Sequence, residues 1–147
     1  MYTHILVSTD GSEVAQKGVE HALSLAKALG SKVTVITVTE AFPIIYGREW
    51  QPGPIETKRF EDETRNAAAE LFSKIKDAAS KIGVPLDTLH VPNQSSAGAA
   101  IVEACGKLGC NLIVMSSHGR SGISRVLLGS QTSKVLARSP VPVLVVR

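Results

Sequence analysis

Short aliphatic segments alternate with helical patterns along the chain, and this alternation restricts its possible folds more than any other feature. The segments are mostly β-branched or aliphatic, which is typical of buried β-strands. The five predicted strands are His4–Ser8, Lys32–Val38, Leu86–Val91, Leu112–Ser116 and Val141–Val146. The fold must therefore place helices between its strands.

The intervening segments have helical periodicity. Apolar residues recur at three- and four-residue spacing from Val14 to Leu29, with Ser12 placed to cap the helix and Gly30 placed to end it. The other predicted helices are Ile55–Ile82, Ala97–Leu108 and Ser130–Ala137. Strands joined through helices require crossover connections, and these require a parallel sheet covered on both faces. The chain is therefore predicted to be an α/β sandwich of five strands and four helices.

Length and composition favour one domain. A chain of 147 residues with 44% hydrophobic residues suits a single core, so we expect residues 1–147 to form one domain. No apolar run approaches the roughly 20 residues that cross a bilayer, and the N-terminus has neither a basic leader nor a cleavage site. We therefore expect a soluble, cytoplasmic protein without a membrane partner. The net charge of +3 is spread along the chain, which favours a small anion such as a nucleotide over a nucleic acid.

Polar residues follow two of the predicted strands. Ligands of open parallel sheets bind beyond the carboxyl ends of the strands, where the strand order reverses. The first strand normally lies beside that point, which puts Asp10 in the crevice, with Gly11 and Ser12 leading into a helix. The fourth strand ends at Ser116, at the same edge of the sheet. This edge is the candidate binding site.

A glycine- and serine-rich segment, "MSSHGRSGISRVLLGS", runs from Met115 to Ser130. Three of its residues can bring backbone close to a ligand or adopt positive φ without strain: Gly119, Gly122 and Gly129. Three others are hydrogen-bond donors: His118, Arg120 and Arg125. Ser130 opens the last predicted helix, whose N-terminal amides attract anions. The segment therefore suits a phosphate chain; the alternative is a flexible loop with solvated arginines.

The fingerprints of common nucleotide-binding and hydrolytic enzymes are missing. The sequence contains no G-x-x-x-x-G-K-[ST], no G-x-G-x-x-G after the first strand and no G-x-S-x-G. A triad of Ser117 or Ser121 with His118 and Asp10 can be drawn, but neighbouring residues seldom have the required geometry. We therefore do not expect a serine hydrolase.

Histidine and cysteine spacings predict no metal site. The remaining histidines, His4, His21 and His90, share no ligand spacing. Cys105 and Cys110 have no second pair and are expected to be buried thiols.

One connection is unusually long. The segment Thr39–Pro54 contains three prolines and two glycines, and long connections often serve as lids or binding loops. It is expected either to cover the site or to be a mobile surface excursion.

Three segments together resemble the universal stress protein family: "ILVSTDGSE", "LIVMSSHGRSGISRVLLGSQTSKVL" and "SPVPVLVVR". The resemblance covers the whole chain. It implies a flavodoxin-like or Rossmann-like three-layer α/β sandwich with strand order 3-2-1-4-5, and it implies dimers. One branch of the family binds ATP and another lacks nucleotide binding.

The ATP-binding branch is marked by G-x-x-G-x9-G-[ST]. Gly119 matches the second glycine, and Gly129 with Ser130 matches the end of the pattern, but Ser116 holds the first glycine position. The resemblance implies that Asp10 contacts the adenosine portion and that Val38 lies against adenine. The residues that it implies for the triphosphate and ribose are Gly119, Gly129, Ser130 and Gln131. Ser116 either crowds the ligand or donates a hydrogen bond to it.

The predicted ligand is therefore ATP, with or without Mg²⁺, and AMP or ADP are further candidates. We expect a stress-response regulator that responds to bound nucleotide. The alternatives are a weak ATPase and a nucleotide-free interaction module. No convincing catalytic base is found, so any hydrolysis should be slow.

The strand order that the resemblance implies leaves the last strand at an edge. Val141–Val146 carries no charge, and an uncovered aliphatic edge is prone to aggregation. Pairing with the same strand of a second copy would be antiparallel and would cover it. We therefore predict a homodimer through Val141–Val146, which proline at Leu144 should disrupt.

Overall fold

The computed structural model of the chain describes residues 1–41, 53–118 and 128–147. Strands and helices alternate through these residues, as the sequence predicts. In chain order the elements are β1 (His4–Ser8), α1 (Glu13–Leu29), β2 (Lys32–Glu40), α2 (Pro54–Ile82), β3 (Leu86–Gln94), α3 (Ala97–Leu108), β4 (Leu112–Ser116), α4 (Ser130–Arg138) and β5 (Val143–Val146).

The strands form one parallel sheet in the order β3-β2-β1-β4-β5. The predicted strand order is confirmed. Ile5 of β1 lies opposite Val33 of β2 and Leu112 of β4, so apolar side chains form a continuous row across the centre of the sheet. The chain leaves β1 toward β2 on one side and β4 lies on the other, so the strand order reverses beside β1.

Each face of the sheet is covered by helices. Ile5 and Val7 of β1 belong to the core cluster shared with α1 and α2, whereas Leu6 belongs to the cluster shared with α3 and α4. Successive side chains of a strand point to opposite faces, so the uninterrupted aliphatic run of β1 serves both clusters. All three of these side chains are fully buried. The predicted three-layer sandwich is therefore confirmed.

The ends of α1 follow the predicted local chemistry. The Ser12 hydroxyl accepts a hydrogen bond from the Ala15 backbone N–H at 3.2 Å. Gly30 follows the last helical residue with φ of 69°, in the left-handed region that favours glycine. Gly109 ends α3 in the same way, with φ of 68°.

The longest helix, α2, is mostly exposed. It buries four side chains, Ala68, Phe72, Ile75 and Ala79, and carries exposed ion pairs between Arg59 and Glu63 and between Arg65 and Asp62. Along the described stretches of the chain, no helix is both long enough and apolar enough to span a membrane.

Three strand boundaries differ from the prediction. β2 continues to Glu40 and β3 to Gln94, because the two strands stay paired beyond a register shift between Val38 and Glu40. β5 begins at Val143 instead of Val141. Pro142 has no N–H to donate, and the Ser139 side chain accepts the N–H of Val141 at 3.1 Å.

The predicted long connection is shorter than its sequence indicates. Thr39 and Glu40 belong to β2, and Pro54 begins α2. Residues 42–52 lie outside the described residues, so the role of this segment as a lid remains a prediction.

Candidate functional site

A cleft of about 480 Å³, counting the solvent at its mouth, lies at the carboxyl edge of the sheet beside β1. Asp10, Val38 and Ser116, which come from three separate strand ends, all line it. The structure therefore brings three of the sequence-predicted site residues together.

One wall of the cleft is apolar. It is formed by Ile36, Val38, Ala97, Ile101 and Met115. Ile36 is fully buried and Met115 is 5% exposed, so most of this wall continues the core between the sheet and α3. Such a surface suits a flat, uncharged ring better than a charged group.

The β1 side of the cleft is held by short-range hydrogen bonds. The Asp10 carboxylate accepts the N–H of Ser12 at 2.9 Å, and the Thr9 hydroxyl accepts the N–H of Gly11 at 3.2 Å. Gly11 has φ of 81°, a conformation that glycine adopts without strain. The Thr37 hydroxyl donates to the Thr9 carbonyl at 3.0 Å and joins this turn to β2. The turn thereby fixes a carboxylate at the cleft.

On the β4 side, Ser116 and His118 line the cleft. The Ser116 hydroxyl donates to the carbonyl oxygen of His118 at 2.9 Å, so this side chain folds back on its own turn. The backbone N–H of Ser117 donates to the carbonyl oxygen of Val146 at 2.9 Å. The Thr132 hydroxyl donates to the carbonyl oxygen of Ser116 at 3.0 Å. The turn is thus tied to both β5 and α4.

The Ser117 side chain lies 2.7 Å from Nδ1 of His118. Ser117 is 4% exposed, so its hydroxyl is shielded from a substrate. His118 lines the cleft. The contact therefore orients the imidazole toward the cleft and does not present an accessible nucleophile.

Gly129 stands where α4 meets the β4 turn. Its N–H donates to the carbonyl oxygen of Ser117 at 2.7 Å. A Cβ at this position would lie 3.2 Å from Cα of His118 and 3.3 Å from the Ser117 carbonyl oxygen. Its φ of −60° is accessible to any residue, so close packing, and not left-handed backbone, requires glycine here. The positive φ that glycine permits is therefore not used at this position.

The helices that begin beside the cleft differ at their N-termini. Side chains cap α1 through Ser12 and α3 through Ser96. Within the described residues α4 has no side-chain cap, because Gly129 occupies the N-cap position. The first backbone amides of a helix have no intrahelical acceptor and carry partial positive charge. Those of Ser130, Gln131 and Thr132 are therefore suited to an anion.

The Gln131 side chain turns toward α3. Its Oε1 accepts the backbone N–H of Gly98 at 2.8 Å. Gln131 is not among the described residues that line the cleft, whereas its neighbour Thr132 is. The backbone of Gln131 remains at the start of α4, but its side chain makes a different contact from the one implied by the resemblance.

Part of the predicted phosphate loop falls on residues 119–127. Gly119 and Arg120, together with Gly122 and Arg125, therefore lie outside the described residues. Their contacts with phosphate remain predictions.

The histidines of the sheet make local contacts away from the cleft. His4 Nε2 lies 2.8 Å from the Thr34 hydroxyl, and His90 Nε2 lies 2.7 Å from the Thr39 hydroxyl. Burial lowers the pKa of both histidines; the charge of Lys32 adds to the effect at His4, and that of Arg65 adds to it at His90. The neutral imidazole is therefore favoured at both positions.

The two cysteines are free, buried thiols, as predicted. Burial raises the pKa of Cys105 and raises that of Cys110 to about 11, with a smaller contribution from Cys105. A raised pKa suppresses the reactive thiolate. In the part of the chain that the structure describes, no three His, Cys, Asp or Glu residues are grouped in a way that could hold a metal ion.

The sequence predictions missed the contribution of α3 to the cleft, Ala97 and Ile101, and that of Thr132 on α4. They also missed Ile36, although it stands two residues before Val38 and period-two alternation puts both on the same face of β2. Ala97 begins a helix at the carboxyl edge of the sheet, and this position indicates a site residue less strongly than the alternation in β2 does. Nothing local distinguishes Ile101 from an ordinary core residue.

Comparisons with known proteins match the chain over its full length. The model of the universal stress protein family matches residues 1–147. The chain is 30% identical over 147 residues to universal stress protein MJ0531 of Methanocaldococcus jannaschii, covering 100% of this chain and 83% of that protein. A solved structure of hypothetical protein MJ0577 is similar with a TM-score of 0.77 and 29% identity, covering 99% of this chain and 96% of the other. A solved structure of a universal stress protein in complex with cAMP is similar with a TM-score of 0.68 and 25% identity, covering 99% and 97%.

Proposed function

The chain belongs to the universal stress protein family, and from this premise we propose that it is a stress-response regulator that binds an adenine nucleotide, foremost ATP. ADP and AMP fit the same proposal with fewer phosphates. The cleft supports it through three features: an apolar wall, a carboxylate and a helix N-terminus. Each suits one part of a nucleotide.

The apolar wall suits the base. Ile36, Val38 and Met115 offer a surface against which an adenine ring would be shielded from water. Asp10 also lines the cleft, and its carboxylate oxygens can accept hydrogen bonds from ribose hydroxyls. Both contacts agree with the roles that the family resemblance implies for Val38 and Asp10.

The observation that carries the proposal is the start of α4. It lies at the cleft through Thr132, and within the described residues no side chain caps it, whereas α1 and α3 are capped by serines. An uncapped helix start attracts phosphate through its amides and dipole. Gly119 and Arg120 are proposed to add contacts from the preceding loop. Ser130 is exposed, so its hydroxyl is accessible to a phosphate oxygen.

The relative in complex with cAMP supports an adenine nucleotide as the ligand class. It shares the fold and 25% of its residues with this chain. ATP would place its additional phosphates toward α4 and the loop. Mg²⁺, when present, would be bound chiefly by those phosphates, since this cation usually takes only one or two protein carboxylates.

The residues of the cleft favour binding over chemistry. Ser117 is buried, and the imidazole of His118 is engaged through Nδ1. A catalyst for phosphoryl transfer must position a nucleophile and its base, and the described residues offer no such pair. Slow ATP hydrolysis and a nucleotide-free interaction module are the two alternatives.

We propose in addition that the protein is a cytoplasmic homodimer joined through β5. Its two cysteines are free thiols, as in proteins of reducing compartments. β5 stands at one edge of the sheet, and Val143–Val146 are all half-buried. Pairing with β5 of a second copy would cover that edge.

Calorimetric titration with ATP, AMP and adenosine tests the proposed ligand. We expect ATP to bind more tightly than AMP, and AMP more tightly than adenosine, because each phosphate adds a contact at α4. Equal affinities would contradict the phosphate site, and no binding of any of the three would contradict nucleotide binding.

Incubation with radiolabelled ATP separates the three functional classes. A regulator retains intact nucleotide, a weak ATPase releases phosphate, and a nucleotide-free module does neither. Mass spectrometry of small molecules that remain with the purified protein provides an independent check.

A further inference from the structure

Gln131, the second residue of α4, joins that helix to α3. Its Oε1 accepts the Gly98 N–H at 2.8 Å and lies 3.5 Å from the Ser96 hydroxyl. Ser96 is the N-cap of α3, and its own hydroxyl accepts the Ala99 N–H at 3.3 Å. Two amides at the start of α3 are thus satisfied by side chains, one of which comes from α4.

The two helices touch closely at this junction. A Cβ on Gly98 would lie 2.9 Å from Cβ of Lys134 and 3.0 Å from the carbonyl oxygen of Gln131. Both distances are shorter than ordinary van der Waals contact, so only glycine permits this approach. The Lys134 ammonium lies 3.5 Å from the Ser96 hydroxyl, on the exposed side of the junction.

Each helix contributes a different part of the cleft. Ala97 and Ile101 of α3 belong to the apolar wall, whereas Thr132 and the first amides of α4 form the proposed phosphate site. The Gln131 side chain accepts the N–H of Gly98, which follows Ala97 in α3. Gln131 itself precedes Thr132 in α4. This hydrogen bond therefore links the apolar wall to the proposed phosphate site.

We infer that Gln131 is a positioning residue for the nucleotide, which holds the base-binding wall of α3 at a set distance from the phosphate-binding start of α4. The inference rests on the proposed function. In this inference the Gln131 side chain acts through α3. The family resemblance implies instead that Gln131 contacts the triphosphate or ribose directly.

The neutrality of the carboxamide is part of this role. A glutamate would also accept the Gly98 N–H, and its charge would favour the helix N-termini. The same charge would repel a phosphate bound to the first amides of α4, and the repulsion would grow with the number of phosphates. Glutamine accepts the hydrogen bond without this penalty.

Two substitutions separate the hydrogen bond from the charge. Gln131→Leu removes the acceptor at nearly constant volume and leaves the Gly98 N–H unsatisfied. Gln131→Glu restores the acceptor but adds a charge. Ser133→Glu is the matched control, because it adds the same charge to an exposed position of α4. Circular dichroism establishes that each variant is folded.

Amide hydrogen exchange at Gly98 and titrations with ATP, AMP and adenosine are the measurements. For Gln131→Leu we expect at least about tenfold faster exchange at Gly98 and weaker binding of ATP and AMP, with little change for adenosine, which carries no phosphate to reach α4. For Gln131→Glu we expect normal exchange and normal adenosine affinity, with ATP affinity lower by on the order of tenfold. Ser133→Glu should lower ATP affinity less than Gln131→Glu does.

Two results would overturn the positioning role while leaving nucleotide binding intact. One is unchanged Gly98 exchange and unchanged affinities in Gln131→Leu. The other is a loss of adenosine affinity in Gln131→Glu although exchange at Gly98 is normal, because affinity would then not follow the hydrogen bond. If the unmodified protein binds none of the three ligands, the proposed function fails and the positioning role fails with it. The titrations of the unmodified protein alone distinguish this failure of the proposed function from a failure of the positioning role.

Discussion

Ser116 replaces the first glycine of the family's ATP-loop pattern, and its hydroxyl donates to the carbonyl oxygen of His118 at 2.9 Å. The residue is 8% exposed and lines the cleft. Because the hydroxyl is directed at its own turn, it stabilises the segment that holds His118. The side chain therefore stabilises the local conformation of the site.

We predict that Ser116→Gly and Ser116→Ala both weaken ATP binding, by about fivefold, which corresponds to the roughly 1 kcal/mol of one hydrogen bond. Alanine removes the hydroxyl but keeps Cβ, so the pair separates the two effects. The measurement is fluorescence titration with a labelled nucleotide. Tighter binding in Ser116→Gly alone would show that Cβ crowds the ligand.

Gly129 is required for packing at the junction of α4 and the β4 turn. We predict that Gly129→Val lowers the free energy of unfolding by about 1–3 kcal/mol, because Cβ would press on Cα of His118 at 3.2 Å. ATP binding should weaken with it, since the start of α4 must shift. Urea unfolding and calorimetric titration are the measurements.

The control for this prediction is Gly106→Ala. Gly106 lies within α3, and a Cβ there would meet no atom within 4 Å. Alanine should therefore raise the free energy of unfolding by about 0.5–1 kcal/mol through helix propensity. A stability loss in both variants would refute the packing explanation for Gly129.

At the scale of elements, the hydrogen bonds of β5 show which of its backbone groups face β4 and which face the open edge of the sheet. The carbonyl oxygens of Pro142 and Val146 accept hydrogen bonds from the N–H groups of Ile113 and Ser117. Backbone groups alternate in direction along a parallel strand, so those of Leu144 also face β4, whereas those of Val143 and Val145 face the open edge. The sequence-based choice of Leu144→Pro as an interface variant is therefore a poor one, because it would break the sheet itself.

We predict that Val145→Pro converts the proposed homodimer to monomer while the fold persists, because proline removes a donor of the open edge. Leu144→Pro should instead destabilise the pairing of β5 with β4 and lower the midpoint of urea unfolding. Light scattering at micromolar concentration, together with urea unfolding, distinguishes the two variants. An unmodified protein that is monomeric at that concentration would contradict the dimer.

At the scale of the whole molecule, the stability of the fold depends on pH through histidines of the sheet. Burial, assisted by Lys32, lowers the pKa of His4 below its ordinary value of 6.5. Burial, assisted by Arg65, does the same at His90. The unfolded chain therefore binds protons at a higher pH than the folded protein does. The stabilising contribution is complete well above pH 6.5 and is lost as the pH falls below it.

We predict that the free energy of unfolding falls between about pH 7.5 and pH 5.5, and that His4→Gln makes this fall smaller. Glutamine can keep a hydrogen bond to the Thr34 hydroxyl without taking up a proton. Urea unfolding at a series of pH values is the measurement, with His21→Gln on the exposed surface of α1 as the control. The same pH dependence in His4→Gln and in the unmodified protein would contradict the role of His4.

Much of the architecture follows from residues close together in the chain. The alternation of aliphatic and helical segments predicted the three layers, and Ser12, Gly30 and Gly109 predicted helix ends, because capping depends on neighbours a few residues away. The strand order came from the family resemblance, and the placement of Asp10 and Ser116 at one edge followed from strand direction. Residues close together in the chain could not show that β2 and β3 remain paired beyond their predicted ends.

The sequence by itself therefore determined the layers, most element boundaries and the edge at which the cleft forms. Only the tertiary structure decided that the Gln131 carboxamide reaches Gly98 and that Gly129 is needed for packing. Each of these depends on the distance between groups from separate elements, which no local pattern encodes. Helix propensity and periodicity determine what an element is, whereas packing determines which of its atoms meet.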